Sequence, residues 1–227
     1  MSQNKPTLPL PILRFITVPG LITLGVTILR LGGELLHWPK AWFNPEAGGA
    51  WSIVGITWLV PVFGIYFARK LTVQGQGPKS LKLAVQFALL GMFSVVVVLL
   101  LGVRVPVSNP YLRTALFLWL PAILAALAQL YAWPALGRIL FAYAFAARVP
   151  VAGLMFFALW GKWGTHYDAI PQSLPEMGLG LKFVWLGLAP QLVFWVGFTV
   201  LVGSLAGSVA LGLRRSPATS RPPSTFE

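Results

Sequence analysis

The sequence predicts an all-α fold, a polytopic transmembrane helix bundle with six spans. Three observations lead there. Hydrophobic residues make up 57% of the 227-residue chain. Charged residues make up only 10%, against about a quarter in average soluble domains. Apolar runs near the ~20 residues needed to cross a bilayer recur along most of the length. One bundle accounts for these runs, so residues 12–213 read as a single membrane domain, with a Pro-rich lead-in over 1–11 and a tail over 214–227.

The first span starts at about Ile12 and runs to Arg30, with a kink expected at Pro19-Gly20. It has the sequence to continue as helix to Trp38, where Pro39 would help to stop it. No small-residue cleavage site follows it, so it reads as a retained span rather than a removable signal. The second span is Trp51 to Ala68, ended by Arg69-Lys70 and followed by the turn-rich TVQGQGPKS. The third, Leu83 to Val103, is interrupted only by Gln86 and Ser94. Thr114 to Trp133 forms the fourth, closed by Pro134, and about Gly137 to Trp160 the fifth, with Arg148 and Pro150 near its centre. The sixth, Phe183 to Leu213, is long enough to cross with tilt. The tail RRSPATSRPPSTFE is Pro/Ser/Thr-rich and reads as disordered.

A formal net charge of +12 invites a nucleic-acid partner. The placement of the charges argues against one: the basic residues stand in ones and twos at the ends of apolar runs, with no basic stripe interleaved by aromatics. The bilayer is the expected partner, and Trp38, Trp42, Trp51, Trp160 and Trp163 suit its interface. Six spans place both termini on one side with ten Lys/Arg, against six on the other. The positive-inside rule then favours N-in and C-in, as in a bacterial inner-membrane protein.

Two polar stretches, Arg30–Gly49 and Gly161–Lys182, hold both histidines and four of the five carboxylate side chains. On a continued first helix Arg30, Glu34 and His37 stand at i, i+4 and i+7, on one face. His166 and Asp168 could complete a site from the facing loop, with Glu46 nearby. Imidazole with two or three carboxylates suits a divalent metal, so Glu34, His37, His166 and Asp168 are the candidate ligands. The plainer alternative is a set of ordinary loop residues with His37 seated among head groups. Ser173 lies close enough in sequence to His166 and Asp168 for a triad, which only geometry could establish. The chain has no Cys, and its histidines lie outside the spans, so no haem or iron–sulfur cluster is expected.

Arg148 falls near the bilayer midplane, where a guanidinium costs at least ~2.5 kcal/mol to insert and must face a partner or a wet cavity. It would suit an anionic substrate or a lipid phosphate, with Gln191 as a polar neighbour. The alternative lays residues 134–147 flat on the surface, which leaves Val149–Trp160 too short to cross. Gly203 and Gly207 make a small-residue face for close approach within the bundle, or for a homo-oligomer or membrane partner. The expected protein is an integral membrane protein with an outer-face polar site for a small molecule or ion, a transporter being one form. An enzyme acting at the outer leaflet and an accessory subunit stay open beside it.

Overall fold

The computed structural model describes residues 11–47, 52–171 and 176–215. The lead-in before Pro11, Trp51, Ser173 and the tail from Ser216 lie outside the described residues. Six helices follow in order: α1 (Ile12–Leu35), α2 (Leu59–Val73), α3 (Leu81–Gly102), α4 (Pro110–Ala132), α5 (Pro134–Gly161) and α6 (Leu179–Leu213). No strand occurs among the described residues. Five of the six, all but α2, are long and apolar enough to cross a membrane.

The helix limits follow from local chemistry. The Ser80 hydroxyl accepts from Leu83 N to cap α3, and the Asn109 side chain accepts from Tyr111 N and Leu112 N to cap α4. Pro110 and Pro134 each occupy the first turn of their helix, where a missing N–H costs nothing. Pro19 and Pro150 lie inside α1 and α5, both of which continue through them.

The expected helix to Trp38 stops at Leu35 instead. Trp38 N donates to Gly33 O and His37 N to Glu34 O, while His37 takes φ 54°. That is a Schellman closure with His37 in its left-handed position, in which a histidine replaces the usual glycine.

The second expected span also changes. Ser52 to Trp58 forms turns, and helix begins only at Leu59. Ile53, Val54, Ile56 and Thr57 are β-branched and surround Gly55, a run with low helix propensity. The Ser52 hydroxyl, donating to Trp42 O at 2.5 Å, ties this segment to the loop after α1. The 15 residues of α2 rise only about 22 Å, short of the ~30 Å hydrocarbon core.

α6 sits at the centre and touches α2, α3, α4 and α5; α1 packs mainly on α5. The main core gathers Phe15, Phe63, Phe67, Leu136, Leu140 and Tyr143. Leu90, Phe93, Leu100 and Leu101 on α3 remain exposed, an apolar outer surface that suits lipid rather than water. The Gly203/Gly207 row meets α2 of the same chain. A Cβ on Gly64 would lie 2.4 Å from Gly203 O, and one on Gly207 would lie 2.7 Å from Gly64 O. Backbone cannot give way as a side chain can, so Gly64→Val should cost about 3 kcal/mol by forcing α2 off α6. Thermal unfolding in detergent checks this; an unchanged midpoint would rule out the crossing.

Candidate functional site

α1 and α5 run the same way, because Thr23 Oγ1 pairs with Tyr143 Oη at 2.8 Å and the loop after α5 returns to the end of α1. That return is built on Glu34, whose side chain is fully buried. Its carboxylate accepts from Arg30 Nε at 2.9 Å and from His166 N at 2.9 Å. His166 Nδ1 lies 2.6 Å from Oε1 and 2.8 Å from Oε2. Every neighbour of the carboxylate here is a donor, so it stays charged and holds the imidazole with its proton on Nδ1. Nε2 is left as an acceptor with no hydrogen-bond partner among the described residues.

Asp168 stands behind this arrangement. Its carboxylate accepts from Gly164 N, Thr165 N and Thr165 Oγ1 at 2.8–2.9 Å, folding the turn that presents His166. The structure therefore joins Glu34 to His166 and gives Asp168 to the turn. His37 caps α1 and Glu46 is exposed, and neither side chain makes a hydrogen bond to the Glu34–His166 pair. Among the described residues no group of three His, Asp or Glu side chains could hold a metal ion. Arg30, a cation, stands 2.9 Å from the Glu34 carboxylate.

Burial holds the His166 imidazole below its ordinary pKa; the hydrogen bond to Glu34 opposes that shift and the nearby Arg30 charge adds to it. The folded protein therefore takes up this proton at lower pH than the unfolded chain, whose value is about 6.5. Its contribution to stability is complete above about 6.5 and falls as pH drops towards the folded-state value, by at most about 1.4 kcal/mol per pH unit. Unfolding midpoints at descending pH should show this slope in the native protein and lose it in His166→Leu. A slope of opposite sign would mean that His166 is held charged. Burial also raises the Tyr167 pKa, keeping its hydroxyl protonated where it donates to Thr27 O at 3.4 Å.

Arg148 is 4% exposed. Nη1 donates to Gln191 Oε1 at 3.4 Å, the guanidinium lies 4.6 Å over the Trp195 ring, and Nε has no hydrogen-bond partner among the described residues. No carboxylate among the described residues bonds to it. Aligned on the Thr23–Tyr143 pair, Arg148 lies opposite position 28 of α1, about 9 Å deeper in the bundle than Glu34.

Both ends open on one cavity of about 1090 Å³, lined by Arg30, Arg148, His166, Gln191, Trp185 and Trp195 among others. Four segments that depart from regular α-helix meet on it. The Ser52–Trp58 turns form one wall. π-helical turns at Ala115–Trp119 in α4 and at Phe183–Leu188 and Pro190–Phe194 in α6 bring Trp119, Trp185 and Gln191 to it. Irregular backbone at membrane depth persists where it lines a cavity, and π-turns recur at functional sites. Gly55 fits closely here: a Cβ would stand 3.1 Å from Arg30 Nη1.

Sequence reasoning missed the aromatic wall. Trp119 and Trp185 stack at 5.6 Å and Tyr111 on Trp185 at 5.0 Å. The available signal was Gly187 and Pro190 interrupting the sixth apolar run, and Gly55 within a β-branched one. No protein-family model matches this chain, and neither a curated protein nor a solved structure matches it.

Proposed function

We propose that this multi-pass membrane protein binds a small organic anion in the cavity between its helices. The observation that carries the reading is Arg148: a buried guanidinium lining the cavity, with no carboxylate bonded to it and one nitrogen unpartnered among the described residues. A charge in that position is costly, and such groups mark substrate or ion pathways. Arg30 and Glu34 compensate each other, and His166 is neutral above its lowered pKa. The lining therefore carries about one net positive charge.

The arrangement suits a transporter, whose sites form near the midplane from interrupted helices. A membrane enzyme is a second reading, favoured by the carboxylate-oriented imidazole with its open Nε2. Thermal stability and tryptophan fluorescence of the protein in nanodiscs, titrated with benzoate and 3-phenylpropionate, test the shared core of both. Binding should be clear in the native chain and absent in Arg148→Gln. Organic acids that fail to bind, or that bind equally to both proteins, defeat the proposal. Conversion of a bound acid or its ester would favour the enzyme, and flux across a vesicle membrane the transporter.

Topology belongs to the same proposal. α2 and the Ser52–Trp58 segment together make the second of six crossings, with both termini on the inner side of a bacterial inner membrane. On six crossings the sequence would assign ten Lys/Arg to the side of the termini and six to the other, which supports this orientation. The native chain has no Cys, so single cysteines report sidedness cleanly. In intact cells Lys40→Cys should react with an impermeant maleimide and Gln76→Cys should react only after lysis. Equal labelling of both would show that α2 does not cross.

A further inference from the structure

The cavity has two polar ends of different character, and each asks for a different group. At the deep end Arg148 offers N–H donors and one positive charge, with no acid bonded to it. A group with a single negative charge answers it. A doubly charged one would leave a negative charge uncompensated in a low-dielectric site. At the other end His166 offers only an acceptor: Glu34 holds the Nδ1 proton, so Nε2 presents its lone pair. An anion would be repelled there and a hydroxyl would be bound. The two ends lie about 9 Å apart along the bundle axis by helical rise.

The rest of the lining is largely apolar and aromatic, with Trp58, Trp119, Trp185, Trp195 and Phe198. Flat rings stack on such side chains with offset or edge contacts. The volume of about 1090 Å³ lies just above the ~300–1,000 Å³ range of pockets that enclose drug-sized ligands, more than a bare inorganic anion fills.

We infer that the ligand is a hydroxylated aromatic carboxylate: its carboxylate on Arg148, its ring among the tryptophans, and its hydroxyl donating to Nε2 of His166. This rests on the anion-binding reading above and adds ring and hydroxyl to it. His166 then serves specificity, admitting ligands that carry a donor opposite the acid and leaving a buried acceptor unpaired when they lack one.

Three probes separate these statements in titrations of the nanodisc-embedded protein: 3-(4-hydroxyphenyl)propionate, 3-phenylpropionate and 2-(4-hydroxyphenyl)ethanol. The hydroxy acid should bind about ten-fold tighter than its deoxy analogue, and the alcohol weakest. His166→Leu should abolish that ten-fold preference, so that the two acids bind alike, whereas Arg148→Gln should abolish binding of both acids. The comparison between ligands needs no variant, so it stands even where a variant folds poorly. Equal binding of the two acids to the native protein overturns the hydroxyl assignment while the anion site survives. An alcohol that binds as well as the hydroxy acid, or acids that bind Arg148→Gln undiminished, overturns the anion site itself. Acetate competing as well as either aromatic acid would overturn the aromatic ligand and leave only a small-anion site.

Discussion

Glu34→Ala should lower the stability of the protein by about 3–5 kcal/mol, the range seen when one partner of a buried ion pair is removed. The carboxylate is fully buried and serves three donors on two segments: Arg30 Nε, His166 N and His166 Nδ1. Its loss strands a half-buried guanidinium and frees the loop after α5 from the end of α1. Glu34→Gln should cost less, about 1–3 kcal/mol, because the amide still accepts two of these bonds while its NH₂ faces a donor. The ordering native, Gln, Ala should appear in reversible unfolding in mixed micelles. Proteolysis within the segment Lys162–Ile170 should rise in the alanine variant alone, which frees that segment from Glu34. An alanine variant as stable as the native protein would mean that Glu34 ties nothing together.

Much of this architecture was legible in the chain, for a physical reason. A bilayer forces long apolar runs, and α3, α4 and α5 lie where the runs fall, within four residues at every limit. The convergence of Glu34 with His166 was open to inference because acids and imidazoles are so few. Three things were not legible. His37 looked like a partner of Glu34 on a continuing helix, but the backbone needed a left-handed residue to close α1, and that turned the side chain away. The second apolar run looked like a full span because hydropathy does not register β-branching; Ile53 to Thr57 is apolar yet folds as bends and a turn. The cavity itself arises where interrupted helices fail to pack against each other, and no single residue announces that. Arg148 announced a need for polar surroundings and left their identity to the tertiary structure.

Arg148→Met should raise stability by about 1–3 kcal/mol while abolishing anion binding. The native side chain is buried among apolar neighbours with one nitrogen unsatisfied, held by a 3.4 Å bond to Gln191 and by Trp195. Methionine fills a similar volume, keeps a sulfur–aromatic contact with Trp195 and removes the desolvated charge. The offsetting cost is a lost bond at Gln191 Oε1, about 1 kcal/mol. A residue that the fold would be better without persists only where it does something else, as charged groups in membrane interiors do. The two readouts must therefore move in opposite directions: a higher unfolding midpoint together with loss of the benzoate response. If Arg148→Met is instead destabilised by more than about 2 kcal/mol, the guanidinium is a strut between α5 and α6. A structural role would then account for the buried cation without any bound anion.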